Sequence, residues 1–344
     1  MASEDSTVIS LVEKASKGDR RSVGRLLTLV ERGGSAAEQV AEVTHNLSDK
    51  SHVIGITGAP GAGKSTLTAS LARDLATSEY KPAVLAVDPS SPLTGGAILG
   101  DRVRMEEASE AGAFIRSMAT RGHAGGLALA VPGMVRVFDA FGFNPIIIET
   151  VGVGQVEVDV ASAADTVVVV VTSGWGDAVQ ANKAGLLEIA DLFVVNKADR
   201  PGASDARRDL ELMIDLSQLT GQTIRRPEIV MTTATEGEGL DEFKKAIFEH
   251  REFLFEEEQI SVRRAKRWKA EVSSRLDYLI SEIVKESIEN LEEKEGSSPG
   301  SVAREIAKNL LKKEHKWIKK EKTVHLFCLL YTSPSPRDGL LSRM

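Results

Sequence analysis

Gly58-Ala59-Pro60-Gly61-Ala62-Gly63-Lys64-Ser65 follows directly on the apolar run Val53-Ile54-Gly55-Ile56-Thr57 and leads into a helix-forming stretch. This is G-x-x-x-x-G-K-[ST] in the strand–loop–helix setting that its chemistry needs. The glycines let backbone N–H groups close around phosphate oxygens, and the N-terminus of the following helix adds a partial positive charge. Lys64 is expected to reach the β- and γ-phosphates and Ser65 to ligate Mg²⁺. Together with Thr66, residues 58–65 form the expected phosphate cradle.

Outward from this loop the chain alternates short apolar runs with helical patterns. The runs are Val53–Thr57, Ala83–Asp88, Phe114–Met118, Pro145–Glu149, Thr166–Val171, Leu192–Asn196 and Glu228–Thr232. They lack polar alternation, as strands buried on both faces do. Strands alternating with helices predict an α/β fold with a mostly parallel sheet and a site at the C-terminal ends of its strands. This domain is expected over residues 51–255. Residues 1–50 read as a helical extension. Its first stripe is Val8, Leu11, Val12 and Ala15, followed by a break and recap at Gly18-Asp19. A second stripe, Val23, Leu26, Leu27 and Val30, stops at Gly33-Gly34, and Val40, Val43 and Leu47 suggest a third.

Residues 256–327 form a charged helical arm. Val262, Ala265, Trp268, Val272, Leu276, Leu279, Ile280 and Ile283 recur at helical spacing, and a last helix runs from Ser301 towards Lys313. A stripe of that length needs a surface to cover it, either its own domain or a second copy of the chain. Beyond it, Cys328 to Asp338 spell CLLYTSPSPRD, which reads as a translated sequencing adapter. On that reading the tail 328–344 is not native and the only cysteine belongs to it.

Composition narrows the function. The 344 residues carry a net charge of −7 and only 5% aromatics, which disfavours general nucleic-acid binding. No apolar run approaches a membrane span. The single cysteine points to a reducing compartment, so a soluble, cytoplasmic protein is expected, or one in an organelle matrix.

Two further stretches complete a nucleotide site. Pro145-Ile-Ile-Ile-Glu149 is a buried-strand pattern ending in a carboxylate, and it runs on into Thr150-Val-Gly152. Glu149 is placed to serve the metal, Gly152 to offer an N–H to the γ-phosphate, and Gln155 to position attacking water. Most nucleotide switches of this kind have Asp where Glu149 stands. Leu192-Phe-Val-Val-Asn196-Lys197-Ala198-Asp199 is N-K-x-D after a strand, with four strands between it and the phosphate loop. Asp199 can accept from guanine N1–H and the exocyclic amine. Adenine presents no such pair, so a buried carboxylate would be left unmatched, and such sites reject the wrong partner strongly. Thr233-Ala234-Thr235, after the next strand, fits a loop that supports the base through backbone N–H groups.

These motifs, with others between them, resemble the MeaB/ArgK-type GTPases, chaperones of adenosylcobalamin-dependent acyl-CoA mutases such as methylmalonyl-CoA mutase. The further marks are Val87-Asp88-Pro-Ser-Ser-Pro92, Gly95-Gly96-Ala-Ile-Leu-Gly-Asp101-Arg-Val-Arg104-Met105, Arg121-Gly122 with Gly125-Gly126, Glu149 to Gln155, and Gly176-Asp177-Ala-Val-Gln180-Ala-Asn-Lys183-Ala-Gly185. Glu149 in place of Asp is usual in that family, whereas Trp175 stands where a smaller residue is common. The resemblance implies a SIMIBI-type G domain, GTP and Mg²⁺ as ligands, and Asp88 and Asp101 beside the metal and the first switch. It implies a second switch at Glu149–Gln155. It also implies a third switch, Asp177, Gln180 and Lys183, that senses the mutase. Lys64, Asp101, Gln155 and Lys183 are then the expected catalytic group, and C-terminal helices are expected to form a homodimer.

Spacing alone leaves the third switch open. Asp177, Gln180 and Lys183 at i, i+3 and i+6 also fit a solvated helix face. His123, in a glycine-rich loop, is within reach of a phosphate contact, yet a loop histidine is usually only exposed. Alternatives are a kinase acting on a small molecule or transport protein, which Asp199 opposes, and a nickel-delivery GTPase, which the scattered histidines oppose. A binding protein with a dead site is opposed by Lys64, Ser65, Asp101 and Glu149 standing together.

Overall fold

The structure is a computed structural model, and it describes residues 2–47, 50–88, 105–119, 124–150, 163–174, 187–218, 225–289, 291 and 298–318. The element order is α1 (Ala2–Ser16), α2 (Arg20–Arg32), α3 (Gly34–His45), β1 (Val53–Gly58), α4 (Lys64–Thr77), β2 (Ala83–Asp88), α5 (Glu106–Glu110), β3 (Phe114–Ala119), α6 (Ala124–Ala140) and β4 (Ile146–Thr150). There follow β5 (Thr166–Val171), β6 (Leu192–Asn196), α7 (Ala203–Gln218), β7 (Glu228–Thr232), α8 (Leu240–Glu256), α9 (Gln259–Glu289) and α10 (Pro299–Ile318). The chain forms two compact units, residues 1–278 and 279–344. None of the described helices is long and apolar enough to cross a membrane.

The first unit is built on a seven-stranded parallel sheet of order β3-β2-β4-β1-β5-β6-β7. All seven strands fall where the apolar runs predict them. The chain runs outward from β1 to one side, returns through β4, and then continues to the other side through β5. This reversal beside β1 is where ligands gather in open α/β sheets. Both sheet faces are covered. Val167, Val169 and Val171 of β5 point into one core cluster, with Leu26 and Leu27 of α2 and Phe138 of α6. Val168 and Val170 point into the other, with Leu67, Leu71 and Leu75 of α4 and Phe243 and Ile247 of α8. The period of two thus survives as a choice between two apolar faces. Each such fully buried side chain stabilises the fold by about 1.5–3 kcal/mol.

The N-terminal helices lie against β3 and α6. Asp19 caps α2, its side chain accepting from the Arg21 N–H, as the Gly18-Asp19 break predicts. Arg20 lies over the Phe114 ring at 5.1 Å and donates to the Gly112 and Ala113 carbonyls. Arg116 of β3 reaches Glu31 of α2 at 2.5 Å. The third predicted stripe is only partly realised: Val40 is buried, but Val43 and Leu47 are exposed. Leu47 lies past the end of α3, which stops at His45, so its phase no longer follows the helix.

Beneath the sheet, at the strands' N-terminal ends, lies a polar network. Asp165, 1% exposed at its side chain, accepts from the Val53 N–H and from Arg267 of α9. Asp191 accepts from the Val167 N–H and is gripped by Arg263 of α9 through two bonds of 2.7 and 2.6 Å. A chain of buried groups runs inward from Asp191. His250 Nε2 lies 3.3 Å from Asp191 Oδ1, His250 Nδ1 lies 2.8 Å from Thr166 Oγ1, and Thr166 Oγ1 lies 2.7 Å from His52 Nε2. The Asp191 carboxylate can only accept, so His250 donates to it from Nε2. The buried His52 Nδ1 has no hydrogen-bond partner among the described residues.

Within the first unit α9 also offers Glu271 to Arg136 of α6 at 2.6 Å and to its own Arg275. Its outer face exposes Val262, Trp268 and Val272. In the second unit, the end of α9 exposes Leu279, Ile280, Ile283, Val284 and Ile288. The last helix, α10, starts two residues earlier than Ser301 and extends beyond Lys313. The adapter-like stretch Cys328–Asp338 lies outside the described residues.

Candidate functional site

The expected phosphate loop joins the C-terminal end of β1, the central strand, to α4. Two of its glycines are required by close approach. A Cβ on Gly58 would stand 2.1 Å from the Val170 carbonyl oxygen of β5. A Cβ on Gly63, whose φ is +90°, would stand 2.3 Å from Asn196 Nδ2. Pro60 and Gly61 form the exposed crest of the loop, with Ala59 partly covered and Ala62 buried. Lys64 is buried, and its ammonium donates to the Gly58 and Ala59 carbonyls at 2.5 and 3.0 Å. The ammonium therefore sits over the mouth of the loop it serves.

Ser65, in the first turn of α4, donates its hydroxyl to Glu149 Oε1 at 2.5 Å. Glu149 is fully buried on β4, in register with Ile56 of β1. The pairing of two neighbouring strands thus delivers a carboxylate to the start of α4, where the helix dipole favours negative charge. Just beyond, the Thr150 hydroxyl donates to Thr57 Oγ1 at 3.0 Å, tying β4 to β1 at their C-terminal ends. Thr66 is partly buried on the next position of α4. Asp88 ends β2, in register with Ala119 of β3, one position beyond the last β2 residue paired with β4. Asp101, Gly152, Gln155, Asp177, Gln180 and Lys183 lie outside the described residues, as does His123.

The N-K-x-D segment leaves the C-terminal end of β6. Asn196 is 2% exposed and joins three parts of the chain. Its Nδ2 donates to the Ala62 carbonyl at 2.9 Å, while its Oδ1 accepts from the Thr232 hydroxyl at 3.1 Å and the Ala234 N–H at 3.2 Å. Lys197, at φ +59°, stretches over the crest of the loop and donates to the Gly61 carbonyl at 2.7 Å. Asp199 is exposed, so the buried carboxylate expected from sequence is not buried by the protein's own atoms. It follows Lys197 by two positions, on the exposed side of the turn that leaves β6. Thr233 and Ala234 are buried and Thr235 is exposed. The Thr233 N–H donates to the Glu238 carbonyl, closing the loop on itself.

Sequence reading missed Thr232 and Ser70. Thr232 is the only hydroxyl residue in the otherwise apolar reach of β7 after Glu228, and that position was the signal. Ser70, on α4, donates to the Ala234 carbonyl at 3.1 Å across 164 positions of sequence, and no local pattern announces it.

Comparison with known proteins adds the following. Residues 23–289 match the family described as methylmalonyl-CoA mutase-associated GTPase MeaB. A Pyrococcus horikoshii protein named as a GTPase is 46% identical over 82% of this chain and 90% of its own length. The fused isobutyryl-CoA mutase of Geobacillus kaustophilus is 36% identical over 65% of this chain, a match that takes up 22% of that protein. Among solved structures, one of a LAO/AO transport system kinase is similar in fold, with a TM-score of 0.59, 24% identity, and coverage of 89% of this chain and 98% of that one. A strand–loop–helix phosphate motif on the central strand, an N-K-x-D segment beside it and a match over most of the chain agree: this protein belongs to the MeaB family of methylmalonyl-CoA mutase-associated GTPases, and it binds guanine nucleotide and hydrolyses GTP.

Proposed function

We propose that the chain is a nucleotide-driven chaperone that gates cofactor loading and protection of an adenosylcobalamin-dependent acyl-CoA mutase, methylmalonyl-CoA mutase being the first candidate. The observation that carries this reading is the fused relative, in which a segment similar to this chain shares one polypeptide with an acyl-CoA mutase. The kinase alternative draws on a structural likeness that speaks of fold alone.

In this reading the P-loop backbone and Lys64 hold the β- and γ-phosphates, Gly152 donates to the γ-phosphate, and Gln155 orients water. Asp199 reads the guanine edge while Asn196, Lys197 and residues 233–235 shape the base pocket. The Ser65 hydroxyl and the Glu149 carboxylate, already in contact, are hard oxygen donors of the kind Mg²⁺ takes, with Asp88 and Asp101 as further candidates. A bound Mg²⁺ supplies charge neutralisation at the β- and γ-phosphates. Residues 1–50, 51–255 and 256–327 act as extension, GTPase domain and arm, and the exposed apolar stripe of the arm pairs two copies as a homodimer. A cytoplasmic setting fits the same reading.

Asp177, Gln180 and Lys183 engage the mutase and complete the hydrolytic site. The test is GTP turnover with and without a cobalamin-dependent acyl-CoA mutase. Groups supplied by a partner are worth about 10³–10⁵ in rate in related switches, so stimulation by orders of magnitude is the reference outcome. Lys183→Ala should keep GTP affinity and slow intrinsic turnover while losing most of that stimulation. Full stimulation of Lys183→Ala would make this segment a solvated helix face. No stimulation of the parent by any such mutase would end the chaperone reading.

A further inference from the structure

A serine or threonine inside a helix usually returns its hydroxyl to the carbonyl four residues back. Ser16, Thr28 and Thr44 of this chain do so, bonding Val12, Gly24 and Val40. Ser70 does not. From the second turn of α4 its hydroxyl crosses to the Ala234 carbonyl at 3.1 Å. The helix that starts at the phosphate loop is thereby fastened to the loop expected to meet the base.

That bond completes a clamp on both peptide groups around Ala234. The Ala234 N–H is held by Asn196 Oδ1, which fixes the peptide before it. Ser70 holds the Ala234 carbonyl, which fixes the peptide after it. A trans peptide is planar, with its C=O and N–H pointing opposite ways. Drawing the Ala234 carbonyl towards α4 therefore turns the Thr235 N–H away from α4. Thr235 is exposed, and its N–H makes no backbone hydrogen bond among the described residues. An oriented, unused N–H at the rim of a base pocket is a donor suited to a carbonyl oxygen on the ligand. Guanine carries one at its 6-position; adenine carries an amine there.

We propose that Ser70 is a positioning residue for nucleobase specificity: through the Ala234 carbonyl it aims the 233–235 loop at the 6-oxo group of guanine. This rests on reading residues 233–235 as the base loop. Asp199 reads the other two polar groups of the same edge, so the two contributions are separable by choice of nucleotide.

The experiment measures affinities of the full chain for GTP, 6-thioguanosine triphosphate, inosine triphosphate and ATP, in the parent, Ser70→Ala and Ser70→Thr. Replacing the 6-oxygen by sulfur weakens one acceptor and leaves both Asp199 contacts intact. Inosine lacks the 2-amino group and reports Asp199 alone. Ser70→Ala should weaken GTP about three- to tenfold, the worth of one net hydrogen bond. It should weaken the 6-thio nucleotide much less, so the preference for GTP over it shrinks, while the preference for GTP over inosine triphosphate stays as in the parent. Ser70→Thr keeps the hydroxyl and should restore the parent's preference. Equal weakening of all nucleotides by Ser70→Ala would make the bond merely structural and overturn the proposal. So would a preference for GTP over the 6-thio nucleotide that Ser70→Ala leaves intact. A parent that binds GTP and ATP alike would instead overturn the base-loop reading itself, and the proposal with it.

Discussion

Lowering the pH should unfold this protein earlier than its carboxylates alone dictate, because His52 is buried where its charged form is disfavoured. Burial is the main cause, reinforced by the positive fields of Arg251, His250 and Arg264, and together they push the His52 pKa down to about 3 from 6.5. The unfolded chain takes up a proton below pH 6.5 and the folded chain does not, so stability is fully present above 6.5 and falls as pH drops. The slope is about 1.4 kcal/mol per pH unit, which amounts to about 2 kcal/mol between pH 8 and pH 5. Asp191 acts in a separate window. Burial by itself would raise its pKa, but the hydrogen bond from His250 and the Arg263 guanidinium hold it down to about 2 from 3.8. Its contribution is present above pH 3.8 and is lost as pH falls towards 2. The assay is urea unfolding of the full chain at pH 8, 7, 6 and 5, compared with His52→Gln. Glutamine keeps an N–H for Thr166 but cannot take up the proton. The variant should start less stable at pH 8, and the gap to the parent should narrow by about 2 kcal/mol at pH 5. Parallel stability profiles for parent and variant would refute the claim that the fold keeps His52 neutral.

Three more outcomes follow from the site. Asp199→Asn exchanges an acceptor for a donor, so GTP affinity should fall by at least about tenfold, with a gain for xanthosine triphosphate measurable by competition. Glu149→Ala removes the carboxylate that meets Ser65 and should reduce GTP turnover by about 10²-fold or more while GDP affinity changes little, read by single-turnover hydrolysis and fluorescent GDP titration. Gly63→Ala places a methyl against Asn196 Nδ2 at a backbone angle that suits glycine, so both the unfolding temperature and nucleotide affinity should drop, by calorimetry and titration.

The strands were legible because each is a continuous apolar run, and burial on both faces leaves no competing pattern. The phosphate loop was legible because its chemistry forces small residues and a lysine into a fixed spacing. Asp199 was expected to be buried and is exposed, because the N-K-x-D spacing fixes its place after β6 and says nothing of what lies over it. The network under the sheet was not legible at all. Arg263, Arg264 and Arg267 read as the charged face of a solvated arm. Yet their partners Asp165 and Asp191 lie 72 to 102 positions earlier, and the only local hint was an aspartate just before each of two apolar strands. Val43 and Leu47 erred the other way: periodicity assigned both to a core, but Val43 is exposed on α3 beside the buried Val40 and Leu47 lies past the helix end.

Asn196 binds Ala62 with one end of its amide and Thr232 and Ala234 with the other. A single flat group of a few atoms therefore bridges the loop proposed to hold the triphosphate and the loop proposed to hold the base. On that proposal neither half of the ligand has a receptor of its own. Guanosine and pyrophosphate, offered as separate fragments, should each bind feebly and each improve the other's binding, since whichever arrives first sets the shared amide for the second. Replacing Asn196 by alanine should erase that mutual help along with the affinity, because two loops held in common would become two loops that move apart.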